Sequence, residues 1–146
     1  MTQEKEQNLK NHAKLVPIFH IFVLPVFLIN IIWSLVRLRY GLTFGAILSV
    51  LMAVALMVLA LCARTFALKV QDRVIRLEME LRLARVLPAE FHPRIGEFTV
   101  AQLIALRFAS DTELAALAQQ VLQEKLTDRQ EIKRRVKNWR ADYLRA

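Results

Sequence analysis

Charge disappears from this chain twice. Residues 15–36 and 42–63 contain no Asp, Glu, Lys or Arg, and Arg37 and Arg39 lie in the short gap between them. Each stretch matches the ~20 apolar residues with which a helix crosses ~30 Å of hydrocarbon. Neither Pro nor Gly interrupts the chain from Ala46 to Leu87. The second span is therefore predicted to leave the bilayer unbroken, as one helix of roughly 45 residues and about 65 Å. Past Arg64 the apolar positions Phe66, Val70, Val74, Leu77, Leu81 and Ala84 recur at steps of four and three, the period of a core-facing or coiled-coil stripe. Ile75, Met79, Leu83 and Val86 add a second apolar row on the other flank. Asp72 with Arg76, Arg76 with Glu80, and Glu78 with Arg82 are four apart and support the exposed side. A helix wetted on so narrow a side needs a partner, either the rest of its own chain or another copy.

Pro88, Pro93 and Gly96 end that pattern, so residues 88–98 read as a linker. Three short helical segments follow. The first, from Thr99 to about Phe108, is apolar at Val100, Leu103, Ile104 and Leu106. Ser110 with Glu113 has the spacing of a capping box and opens the second, with Leu114, Leu117, Val121 and Leu122 inward. Thr127 with Gln130 has the same spacing before a third helix, whose apolar line is Ile132, Val136, Trp139 and Tyr143. The fold class expected is all-α: a transmembrane helical hairpin with a long second helix extending into a small cytoplasmic helical module. Its divisions are a polar N-terminal segment 1–14, the hairpin 15–63, the extension 64–87, the linker 88–98 and a three-helix basic tail module 99–146.

The spans carry few polar groups. Pro17 falls in the first turn of span one, where a missing N–H costs nothing, and Pro25 lies mid-span, where a kink is expected. Asn30 and Ser34 are four apart and are expected to face the other helix. Gly45, Ser49 and Ala53, also spaced by four, allow close approach within the hairpin or between copies. Trp33 and Tyr40 stand where aromatic belts form. Lys5, Lys10, Lys14, Arg64, Lys69, Arg73 and Arg76 outnumber Arg37 and Arg39, so the positive-inside rule places both termini in the cytoplasm of a multi-pass protein.

Net charge is +8 and the pI is about 10.3, a balance that suits anionic lipid, an acidic protein surface or nucleic acid. A single cysteine, Cys62, excludes an internal disulfide; at the end of an apolar run it reads as a packed thiol. His12, His20 and His92 share no ligand spacing, so no metal site is expected. His20 is the one ionisable group inside a span, and near its end it reads as a hydrogen-bonded structural residue. No GxSxG elbow and no Gly-rich phosphate loop occurs among three glycines. Neither catalysis nor a cofactor is expected. Lys133, Arg134, Arg135, Lys137 and Arg140, edged by Trp139 and Tyr143, form a basic helix face. It reads first as the solvated outside of a bundle, then as a surface for anionic lipid or a partner, and least as a nucleic-acid contact.

Leu106-Arg107-Phe108-Ala109-Ser110-Asp111, Glu113-Leu114, Ile132-Lys133 and Lys137-Asn138-Trp139-Arg140-Ala141-Asp142-Tyr143 resemble a family of small bacterial two-span membrane proteins known only as a domain of unknown function. The resemblance extends over nearly the whole chain. It departs at Ala141, where that family often has Pro. It implies a bacterial inner-membrane protein and brings no activity, cofactor or catalytic residue. Expected, then, is a non-enzymatic accessory or scaffold subunit that contacts membrane lipid and a protein partner or further copies of itself. Arg107 and Asp111, four apart, would tie the first two tail helices together. The competing expectation is an oligomeric channel or transport component lined by His20, Asn30 and Ser34.

Overall fold

The computed structural model describes residues 16–142. Their regular elements are all helices, with no strand among the described residues, and they divide into two units, one ending at Leu68 and the other starting at Lys69. Lys5, Lys10, Lys14 and Tyr143 lie outside the described residues.

The first unit holds two apolar helical segments. A π-helical turn, Ile18–Val23, leads directly into α1, Leu24–Leu38. Pro25 falls at the junction with the π turn, in the first turn of α1, where its missing N–H breaks one bond of a continuous helix. A widened turn stands directly before it, with Leu24 N–H donating to the Phe19 carbonyl. α2 begins at Phe44 and is unbroken to Val86. Thr43 Oγ1 accepts from Ala46 N–H at 3.2 Å and serves its first turn.

Most side chains of this unit are open. Ile18, Ile29, Phe44 and Leu51 are between 61% and 81% exposed. The buried exceptions are Ser34, Ala46 and Ala53. Ala46 and Ala53 are seven apart, two full turns of one face. The stripe expected at Gly45, Ser49 and Ala53 is therefore not a single covered face. Gly45 is open, with no neighbour beyond its own helix within 4 Å of where a Cβ would stand, and Ser49 donates to the Ala46 carbonyl at 2.8 Å. Asn30 is exposed while Ser34 is buried, so the two do not share an environment.

The second unit has one apolar core. α2 and the residue that follows it give it Ile75, Met79, Leu83 and Leu87, a row recurring every four residues. A 3-10 helix, Ala89–Glu97, occupies the stretch expected to be a linker. It suits the sequence because the fixed φ of Pro93 fits such a turn, and it seats Phe91 and Ile95 against the core. α3, Val100–Leu106, opens on a capping box in which Thr99 and Gln102 satisfy one another's backbone N–H groups. α4 is Asp111–Gln123 and α5 is Arg129–Arg135. Leu103, Leu106, Leu114, Val121 and Ile132 from these three helices are fully buried.

Two expectations about α2 are reversed. Phe66, Val70, Val74, Leu77 and Leu81, expected to face the core, are 49–62% exposed, and the row expected on the flank is the buried one. The third tail helix also stops early. Val136 is extended (φ −70°, ψ 118°), and the chain then runs alongside the α3–α4 junction through an isolated antiparallel bridge between Ala109 and Trp139.

Candidate functional site

The end of α3 and the start of α4 are joined by four residues, Arg107, Phe108, Ala109 and Ser110, of which the first three are buried. A buried turn has backbone groups that must find partners. Two sources supply them. Arg82, one helical turn from the end of α2, reaches across with its whole guanidinium. Nη1 donates to the Arg107 carbonyl at 3.1 Å, Nη2 to the Ala109 carbonyl at 2.6 Å, and Nε to Asp111 Oδ1 at 2.6 Å. The extended segment supplies the second set: Arg140 N–H donates to the Phe108 carbonyl at 2.7 Å, and Ser110 N–H donates to the Asn138 carbonyl at 3.1 Å. Glu113 in turn holds the extended segment. Its carboxylate accepts from Lys137 N–H at 3.0 Å and Asn138 N–H at 2.9 Å.

The Phe108 ring is the hub of this clasp. Trp139 stacks on it, with centroids 4.5 Å apart and an interplanar angle of 18°. The Arg107 guanidinium carbon lies 4.6 Å from the ring centroid and Lys133 Nζ 5.3 Å from it, within cation–π range. Arg107 also pairs with Asp142, Nη1 to Oδ2, at 3.3 Å. Beside the clasp is a cleft of about 850 Å³ between α2 and residues 140–142, lined by Glu78, Arg82, Arg85, Arg107, Asp111 and Asp142 among others. The hydrogen bond from Arg82, reinforced by the charges of Arg82 and Arg140, holds the Asp111 carboxyl below the ordinary aspartate value of 3.8.

The expected Arg107–Asp111 pair is not the one formed. α3 ends at Leu106 and α4 starts at Asp111, so the four-residue spacing does not run along a helix and the two side chains go to Asp142 and Arg82. The Ser110–Glu113 capping box is absent for a related reason. Ser110 Oγ meets Thr112 Oγ1 at 2.8 Å while Glu113 turns to the extended segment. At α5 it is Asp128, not Thr127, whose side chain caps, accepting from Gln130 N–H at 3.0 Å.

The five cations expected on one helix face are divided. Lys133 is buried against Phe108. Arg135 bridges Glu124 at 2.6 Å and Glu131 at 2.8 Å. Arg134, Lys137 and Arg140 remain on the surface, the last with Asp111 at 3.8 Å. Trp139 is half-buried in the clasp, not at the edge of a helix. Sequence reasoning misses Arg82, which reads there as the partner of Glu78. Its signal is position: a cation beside Met79, Leu83 and Val86, on the covered side of α2.

Elsewhere His20 Nδ1 lies 2.9 Å from the Val16 carbonyl oxygen, and His92 donates from Nε2 to the Leu87 carbonyl at 3.1 Å. Cys62 is half-buried. Among the described residues no group of three or more His, Cys, Asp and Glu is placed to hold a metal ion.

The segments that meet in the clasp, residues 106–114 and 132–142, are the ones that carry the family resemblance. No curated protein and no solved structure matches the chain. The model of one family of unknown function, DUF6526, matches residues 1–146. The chain is a member of the DUF6526 family.

Proposed function

We propose that this chain is an integral protein of the bacterial inner membrane, a two-span hairpin with both termini in the cytoplasm, and that it serves as a non-enzymatic accessory or scaffold subunit. The observation that carries the reading is the openness of the two long apolar helices. Of the most apolar stretch of each, only 6% and 11% lies buried. A core helix of a water-soluble protein would be mostly covered, whereas lipid-facing side chains need no protein cover. Arg37 and Arg39 flank the turn between the spans and the remaining cations lie outside it, which supports an outward-facing turn.

The binding surface on this reading is the basic exterior of the tail module, Arg134, Lys137 and Arg140 with Arg129, facing an acidic protein or anionic lipid. The clasp supports binding over catalysis because the charged groups around it are engaged with one another: Arg82 with Asp111, Arg107 with Asp142. Its role is to hold residues 137–142, and hence two of those cations, in a fixed position.

Insertion and orientation are tested together. In a Cys62→Ser background, Tyr40→Cys is expected to react with an impermeant maleimide on intact cells. Glu90→Cys should react only after lysis, and the chain should resist alkaline extraction of membranes. Release by alkali, or outside labelling of Glu90→Cys, overturns the reading. For the surface, the triple variant Arg134→Glu, Lys137→Glu, Arg140→Glu should insert normally yet lose binding to anionic vesicles or to an acidic partner. Unchanged binding removes the basic surface from the proposal.

A further inference from the structure

The open face of α2 within the second unit has an order of its own. Val70, Val74, Leu77 and Leu81 are 62%, 49%, 60% and 55% exposed, and Ala84 continues the row. They lie about 180° around the helix from the buried Ile75, Met79 and Leu83. Among the described residues, one side of the helix is thus covered by its own module and the other is not. Four large apolar residues in a continuous row are more than the scattered exposure normal for a protein surface.

Their spacing alternates four, three, four, three, which assigns Val74 and Leu81 to heptad position a, and Val70, Leu77 and Ala84 to d. The flanking positions then follow without choice. Arg73 and Glu80 stand at g; Gln71, Glu78 and Arg85 stand at e. Arg73, Glu78 and Arg85 are exposed, and Glu80 is half-buried, held by Arg76 Nε at 2.7 Å through Oε1. In a parallel in-register pair of helices, each g position faces the e position five residues further along the other copy. Arg73 then meets the partner's Glu78 and Glu80 meets the partner's Arg85. Both contacts join opposite charges, and symmetry forms each twice. The antiparallel register that overlaps the same apolar positions keeps only contacts between Arg73 and the partner's Glu80, and sets Gln71 against the partner's Glu78.

We propose that this face is the seam of a parallel two-stranded coiled coil between two copies of the chain, running along residues 70–84. The apolar row supplies the association, and the flanking charges select the parallel sense and the register. The proposal goes beyond the membrane reading and does not depend on it, since neither the row nor the charges belongs to a span.

The test uses the full chain, solubilised in mild detergent, in a Cys62→Ser background. At heptad position d, identical residues of a parallel pair face one another, so Leu77→Cys should be joined to itself by brief oxidation or a short bismaleimide. Ala116→Cys, exposed on α4, sets the level expected from random encounter. Sedimentation equilibrium then reads the charges. Glu78→Arg should raise the dissociation constant about tenfold, and Arg73→Glu combined with Glu78→Arg should restore it. Circular dichroism confirms that each variant keeps its helix. A full chain that sediments as a monomer, cross-linking of Leu77→Cys no greater than that of Ala116→Cys, or a double variant no better than Glu78→Arg each overturns the proposal. A seam covered by another part of the same chain would appear as the first of these.

Discussion

Arg82 donates three hydrogen bonds from one guanidinium, two of them to main-chain carbonyls of a buried turn. Arg suits this place because its planar fork offers several donors in fixed directions, which an ammonium cannot match. Replacing it by Ala strands the carbonyls of Arg107 and Ala109. The expected cost is about 3 kcal/mol, read from the urea midpoint of the full chain, with Arg82→Lys recovering less than half. Asp111 sets a pH dependence. Its folded pKa lies below 3.8, so its contribution is complete above the unfolded value and is lost as pH falls through the folded one. Stability should therefore decline on acidification below about pH 4, and Asp111→Asn should flatten that part of the profile. The sequence makes Asp111 and Arg107 noticeable as charged neighbours of an apolar run. It does not make their partners readable, because Arg82 and Asp142 are far from them in the chain and pairing across such distances is decided by tertiary packing.

At the scale of elements, the faces of α2 give the sharpest test. Leu83 is fully buried and Leu77 is 60% exposed, although the two occupy equivalent-looking rows of the sequence. Leu83→Ala should destabilise the second unit by about 3 kcal/mol, while Leu77→Ala should leave its melting within about 0.5 kcal/mol of the parent and act instead on self-association. Periodicity reveals that α2 has two apolar rows. It cannot say which one the tail will cover, since both recur at helical steps of three or four and have similar composition. The end of α4 offers a second test. Lys125 has φ 51°, and Leu126 N–H closes back to the Val121 carbonyl at 3.1 Å, the six-to-one bond of a Schellman ending. Lys125→Gly should raise stability by about 0.5 kcal/mol, measured by thermal denaturation, by relieving the left-handed backbone. The long helix was legible because nothing in residues 46–87 interrupts it. The early end of α5 was not, because Val136 and Trp139 continue a helical period while Glu113 draws the backbone of Lys137 and Asn138 out of the helix.

For the molecule as a whole, the two units differ in what covers their apolar residues. The second buries a core; the first leaves Ile18, Phe44 and their neighbours open. Charge segregation along the sequence anticipates this division, because a segment without charges has no means of presenting a wetted face. The π-helical turn at Ile18–Val23 bears on how such a chain tolerates change in length. A π turn is an α-helix holding one surplus residue. Deleting Ile21 should therefore let the helix relax to ordinary geometry with its flanks still aimed as before. Deleting Ile29 would turn every later side chain of α1 by about 100° and swing Ser34 out of its covered site. Protease resistance of the two deletants should separate them, with the first matching the parent. Short and long relatives would then be expected to differ by a single residue at this turn before they differ anywhere else in the two apolar helices.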